Sequence, residues 1–164
     1  MKLSQAMANV TPSPSYEGIT NADDMILALN LGTDAASEKD YIVVQEGITE
    51  ATGALEAETS DKQYLRSGKA TTKTGTSRTF TINGDRICGD EFQDAVLAHA
   101  IKFGTGSSVV KEYVYFNMLT GKGEKGKVSI SVDDDFSGGA GENASFAITL
   151  SSRGTPTEYT YSAE

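Results

Sequence analysis

Apolar and polar positions alternate with a period of two in several stretches of the chain. Phe80 and Ile82 point one way while Thr79, Thr81 and Asn83 point the other, the pattern of a strand half covered by a core. Val128, Ile130 and Val132 alternate with Ser129 and Ser131, and Phe146, Ile148 and Leu150 alternate with Ala147 and Thr149. Strands are therefore predicted over Lys127 to Asp133 and Ala144 to Ser151, each with one apolar and one small polar face. A further strand is expected over Val109 to Met118, and Gly-rich turns at Thr120 to Gly126 and Phe136 to Gly141 join the three into two hairpins. Tyr41-Ile42-Val43-Val44 is a short continuous apolar run ahead of Gly47, which reads as a strand covered on both faces.

Between Asp90 and Phe103 the period lengthens. Phe92, Val96, Ala100 and Phe103 fall on one stripe, Leu97 and Ile101 lie beside it, and Gly104 follows, so this segment is predicted as a helix. A shorter helical turn is expected over Asp23 to Leu31, with Met25, Ile26 and Leu29 at compatible spacing and Gly32 as its stop. Elsewhere the periodicity fades. Residues 1–21 carry Pro12, Pro14 and Gly18 and read as an extended N-terminal arm. Leu55 to Ser77 is rich in Glu, Thr, Ser, Lys and Gly, with Tyr64 and Leu65 as its sizeable apolar residues. That composition predicts a long loop that orders only on assembly. Tyr159 and Tyr161 after Pro156 suggest a C-terminal arm or edge strand over 155–164. One β domain, 22–154, then carries the loop at 55–77.

Length and composition agree with one domain: 164 residues, 17 Gly and no Trp suit short strands and turns. Fourteen basic against 23 acidic residues give a net charge of −9, which opposes tight binding to DNA phosphates or anionic lipid headgroups. No apolar run approaches the ~20 residues of a membrane-spanning helix, and the N-terminus lacks the apolar stretch of a signal peptide. Cys88 is the only cysteine, so no internal disulfide is expected. The expected product is soluble, made in the cytoplasm and without membrane partners.

Catalytic chemistry finds little footing. His99 is the only histidine and lacks the paired ligand spacing of a zinc site; no Gly-x-Ser-x-Gly elbow accompanies it. Thr120 to Gly126 resembles a phosphate loop only superficially, because the Walker spacing is absent and a strand follows. Asp133-Asp134-Asp135 with Glu142 offers carboxylates for Ca²⁺ but not the ligand spacing of a calcium loop, and reads as a solvated acidic turn. Sugar hydrolysis would call for aromatic platforms in a chain without Trp. The Asn143-Ala144-Ser145 sequon means nothing without a secretory signal. Neither enzymatic activity nor a cofactor is expected.

Several stretches resemble the tail tube proteins of long-tailed bacteriophages: Val43-Val44-Gln45-Glu46-Gly47-Ile48-Thr49, Tyr64-Leu65-Arg66-Ser67-Gly68, and Phe80-Thr81-Ile82-Asn83-Gly84-Asp85 leading to Gly89-Asp90-Glu91-Phe92-Gln93-Asp94. The resemblance implies a mainly β fold, a sandwich or barrel-like body with one flanking α-helix, a long loop and extended terminal arms. It further implies six-membered rings stacked into a hollow tube in the virion tail, through which DNA passes to the host without specific binding. A tape measure protein inside the tube, and tail terminator and distal tail proteins at its ends, are the implied partners. On that basis Thr79, Thr81, Asn83, Ser129 and Ser131 are candidates to line the channel. Glu56, Glu58, Asp61, Lys62, Tyr64, Arg66, Lys69 and Lys73 are candidates for contacts between rings. The tube of a contractile tail or injection particle would share the same core topology. A different class of function, recognition of a carbohydrate or host surface by a β-sandwich, would use exposed aromatics such as Tyr113 and Tyr115.

Overall fold

The alternating stretches all fold as strands. The computed structural model of the chain describes residues 1–32 and 36–163. Its strands are β1 (Met25–Leu29), β2 (Ile42–Val43), β3 (Ile48–Tyr64), β4 (Gly68–Asp85), β5 (Val110–Asn117), β6 (Lys122–Ser137), β7 (Ser145–Ser152) and β8 (Thr157–Thr160). The α-helices are short: α1 (Leu3–Ala6), α2 (Glu91–Val96) and α3 (His99–Lys102). All the strands belong to one antiparallel sheet in the order β2-β1-β5-β6-β7-β4-β3, with β8 pairing alongside the first part of β6.

The ends of that order are tied together by the chain itself. Val43 closes β2 on one edge and Ile48 opens β3 on the other, a link of five Cα steps that spans at most about 18 Å. Seven strands laid flat would put the same edges roughly 29 Å apart. The sheet must therefore curl, and of the two expected forms the barrel-like one is realised. Inside the curl lie Leu27, Leu29, Phe80, Ile82, Tyr113, Val128, Ile130, Phe146, Ile148 and Leu150, closed by Phe92, Val96, Ile101 and Val109 from the helical segment and its exit. Each fully buried side chain of this kind contributes about 1.5–3 kcal/mol of transfer free energy.

A second cluster covers the outer face of β1, β2 and β5. Ile26, Ala28, Tyr41, Val43, Val114 and Phe116 pack there under Leu3 and Met7, with Tyr159 and Tyr161 against them. The Tyr161 ring stacks on Phe116 at 5.5 Å. The first ten residues are thus not a free arm: Leu3 and Met7 are buried and Lys2 bridges to Ile42. The C-terminal segment is an edge strand over Thr157–Thr160, and its last residue, Glu164, lies outside the described residues.

The expected helical turn at Asp23 to Leu31 is instead a 3-10 turn, Ala22–Asp24, followed by β1. Ile26 and Ala28 face the outer cluster while Leu27 and Leu29 face the interior, so both faces demand apolar residues and no alternation survives. The single predicted helix is two, broken at Leu97 and Ala98. Phe92, Val96 and Ile101 are buried, but Ala100 and Phe103 are exposed. The chain between β5 and β6 turns tightly at 118–121, and Lys122 to Gly126 is strand held between β5 and β8. Gly123 is required there, since a Cβ would collide with the backbone of Tyr115 and Phe116. Asp133, Asp134 and Asp135 belong to β6 rather than to a turn, and Phe136 lies near the end of the same strand.

Candidate functional site: a hydroxyl face and a projecting hairpin

Strand register brings the five channel-lining candidates onto one surface. Ser129, Ser151, Thr79 and Ala54 form one row across β6, β7, β4 and β3, and Ser131, Thr149, Thr81 and Thr52 form the next. A third row runs Asp134, Ala147, Asn83 and Glu50. Directly opposed Cβ atoms in such rows lie ~4.5–5.5 Å apart, so the surface is continuous. Its smoothness follows from the alternation: the intervening residues Ile130, Leu150, Phe80, Ile148 and Ile82 are taken up by the interior. Thr149 and Ser151 are members that were not singled out in the sequence, although the Ala147/Thr149 alternation marked that side of the strand. The charges in line with this face are Glu50 and Asp134 in the third row, Glu56 and Glu58 along β3, and Lys127 and Arg153 in the row beyond Ser129 and Ser151.

The segment expected as a disordered loop, 55–77, is the outer part of a long hairpin. β3 and β4 remain paired from Ile48/Gly84 to Tyr64/Gly68, while β7 pairs with β4 only from Thr79 onward. Beyond that point ten β3 residues, Leu55 to Tyr64, project about 33 Å past the sheet. The turn is Leu65-Arg66-Ser67, with Arg66 at φ 69° and Gly68 at φ 80°. A Thr-rich composition favours strand even without burial, which composition-based reading of the loop overlooked.

The hairpin divides the eight assembly candidates. Glu56, Glu58, Lys62 and Tyr64 extend the hydroxyl face; Asp61, Lys69 and Lys73 lie on the opposite side, because a bulge between Glu58 and Thr59 resets the β4 alternation; Arg66 sits at the tip. Lys69 pairs with Asp61 at 2.6 Å and the Thr71 hydroxyl donates to the same carboxylate, an arrangement that holds Asp61 below the usual carboxylate range. Those two charges are already matched within the hairpin. Leu65 and Tyr64 are exposed at its end.

At the base of the hairpin, Arg78 is buried and donates to Glu124 at 2.8 Å, and its guanidinium lies over the rings of Phe80 and Tyr115. The Tyr113 hydroxyl donates to the same carboxylate at 3.0 Å. Burial and the Glu124 charge push that hydroxyl well above its ordinary pKa. Tyr113 and Tyr115 are therefore core residues in edge contact with Phe80, and do not supply the exposed aromatics that carbohydrate recognition would use.

At the opposite end, three of the stretches that carried the resemblance converge on one side chain. Gln93 is fully buried: its Nε2 donates to the carbonyls of Glu46 and Asp85 at 2.9 and 3.0 Å, and its Oε1 accepts from the Ile87 amide at 2.7 Å. It thereby ties the β2–β3 link to the end of β4. Gly47 and Gly84 are in close contact here, and a Cβ on Gly47 would meet both the Asp85 carbonyl and Gln93. Asp90 caps α2 by accepting from the Gln93 amide at 2.9 Å.

Arg86 donates to Asp94 at 2.6 Å, and the guanidinium, assisted by the Gly89 amide, holds the Asp94 carboxyl below the usual range. A depressed folded pKa stabilises the fold above the unfolded value of ~3.9, and that contribution declines as pH falls through the lower folded value. Asp94→Asn is expected to lower the melting temperature at pH 7 and to lower it progressively less as the pH is brought down below ~4, as read from thermal melts across the acid range.

His99 is exposed and packs against Phe103 at 4.8 Å. Among the described residues no group of three or more His, Cys, Asp or Glu could hold a metal ion, and no helix is long and apolar enough to cross a membrane. Asp133 accepts from the Thr149 hydroxyl and Asp135 pairs with Lys102.

This curled antiparallel sheet with its projecting hairpin is a fold shared with chains of phage-type tail particles. Solved structures with this fold include a chain from the tail of an empty gene transfer agent particle with C6 symmetry. That chain is 20% identical, with a TM-score of 0.63 over 87% of this chain and 100% of the other. A chain of a native gene transfer agent virion is 17% identical, with a TM-score of 0.59 and the same coverage. A tube-terminating cap of the anti-feeding prophage is 15% identical, with a TM-score of 0.52 over 90% of this chain and 95% of the cap. No protein-family model matches the sequence, and no curated protein sequence does.

Proposed function

We propose that this chain is the structural subunit of a tail tube, assembling with itself into stacked hexameric rings whose channel delivers DNA to a host cell. The observation that carries the reading is the four-strand face on which Thr79, Thr81, Asn83, Ser129 and Ser131 fall into register with Thr149, Ser151 and Thr52. Short hydroxyl and amide side chains stay hydrated and offer no apolar grip to a passing phosphate backbone, and the cations in line with them, Lys127 and Arg153, stand in the next row toward the hairpin. The acidic residues in line with them repel phosphates by like charge. The similarity of the fold to chains of tail particles supports the same reading. The tape measure protein would occupy the channel during assembly, terminator and distal tail proteins would close its ends, and the location would be the virion tail after synthesis in the host cytoplasm. Subunits that meet head to tail close into rings within a layer and leave an open contact along the axis, so one chain type generates a tube without catalysis.

Negative-stain electron microscopy of the concentrated protein tests this. Hollow tubes or stacked six-fold rings are expected. A particle that stays monomeric in light scattering at every concentration, with no rings on the grid, overturns the proposal.

A further inference from the structure

The end of the molecule from which the hairpin projects also carries an open cleft of about 660 Å³, lined by Ser107, Val110, Lys111, Glu112, Lys127 and Arg153. Lys111 and Lys127 come from the paired strands β5 and β6, and Arg153 follows β7, its amide donating to the Lys127 carbonyl at 2.8 Å. Lys127 and Arg153 share one face there, and Lys111 lines the cleft from the other side of β5, in a chain of net charge −9. None of them has an ion-pair partner among the described residues; the pairs that do form use Lys2, Lys69, Arg78, Arg86, Lys102, Lys125 and the N-terminal amine. The one carboxylate in the cleft, Glu112, is engaged with the Tyr41 hydroxyl at 2.9 Å and the Asn30 amide at 3.5 Å.

The complement lies at the other end of the same strand. Asp134 is seven residues from Lys127 along β6, roughly 23 Å, and is exposed. It stands in a row with Glu50, one strand residue from Asp133 and Asp135. Glu142, in the turn after β6, is also exposed and holds only the Gly139 amide. Along this face the cations Lys127 and Arg153 are thus set well apart from the carboxylate of Asp134.

We infer that the Lys111, Lys127 and Arg153 cleft receives the acidic end of a second copy of this chain, with the Asp134 and Glu142 carboxylates as the anions it binds. The inference rests on the tube reading and gives the tube a direction: every copy presents its cationic, hairpin-bearing end to the acidic end of a copy in the next layer. The same chain supplies both charges at opposite ends, so the contact is heterologous and does not close. Charge pairs at such a contact steer association and weaken as salt rises.

Four proteins decide it: the unaltered chain, K127E/R153E, D134K/E142K, and the chain with all four changes. Each is followed by electron microscopy and sedimentation at low and high salt, with melting curves to establish folding. Tubes of the unaltered chain should shorten or dissociate at high salt. Each double variant should assemble at least about tenfold less, and the fourfold swap, in which opposite charges again meet, should recover tubes. Recovery by the swap also excludes misfolding as the cause of loss. If K127E/R153E builds tubes as well as the unaltered chain, the inference fails while the tube reading stands. That outcome, combined with loss of binding to inorganic phosphate or to DNA, would make the cleft an anion site instead. An unaltered chain that forms neither rings nor tubes sinks the tube reading and this inference with it.

Discussion

Replacing Gln93 with leucine is expected to destabilise the fold by about 3 kcal/mol, because it removes four side-chain hydrogen bonds, the longest of them from Arg86 at 3.4 Å, and takes their Gln93 partner from the Glu46 and Asp85 carbonyls and the Ile87 amide. In a domain of this size that corresponds to a fall in melting temperature of roughly 10 °C. Leucine is close in volume, so the loss reports on the polar contacts rather than on a cavity. Gln93→Glu keeps one acceptor for the Ile87 amide but supplies no donor for the two carbonyls, and should be at least as damaging near neutral pH. A leucine variant melting within a degree or two of the unaltered chain would show that the junction does not depend on this side chain.

Deleting residues 58–72 is expected to leave a folded monomer that forms no tubes. The excised part of the hairpin is exposed apart from the half-buried Gly68 and Ala70, and it pairs only within the hairpin, so its removal costs little burial. Ala57 and Thr76 already face each other in register, leaving Lys73-Thr74-Gly75 as a three-residue loop, a length that hairpins accept readily. The melting temperature should stay within a few degrees of the intact protein while electron microscopy finds no stacked rings. Normal tubes from the deleted chain would remove the hairpin from the assembly contacts. A projecting two-stranded ribbon has marginal stability by itself, which is the physical reason to look for its stabilisation in a neighbouring copy.

The elements legible in the sequence are those with one wet and one dry face. β6 and β7 announce themselves because Val128, Ile130, Phe146, Ile148 and Leu150 alternate with Ser129, Ser131, Ala147 and Thr149, and the same alternation marked the channel candidates before their register was known. β1 was unreadable by periodicity because Leu27 and Ile26 face two different cores; a strand covered on both sides looks like any other short apolar run. The hairpin failed in the opposite way: from Thr49 to Arg66 every residue is exposed, so no burial pattern exists to be read. The break between α2 and α3 carries no Gly or Pro, and the stripe through Ala100 and Phe103 pointed to a longer helix than forms. Gln93 lay inside a stretch that carried the family resemblance, but its role depends on the backbone carbonyls of two strands that only tertiary structure brings together.

The five-step link from Val43 to Ile48 has a kinetic consequence. β2 and β3 are neighbours in the chain but stand at opposite edges of the sheet, so this local connection nucleates no pairing between them. β3 joins through its hairpin with β4, β4 then needs β7, with partners 60 to 72 residues apart, and β1 needs β5, with partners 84 to 92 apart. Most contacts are of long range in sequence, which places the chain among slow folders that lose loop entropy well before recovering it as burial. Even with the link drawn across the mouth of the sheet, the outer edge of β3 pairs with no other strand among the described residues, and Glu50, Glu56, Glu58 and Asp61 are the main deterrent to premature joining of chains there.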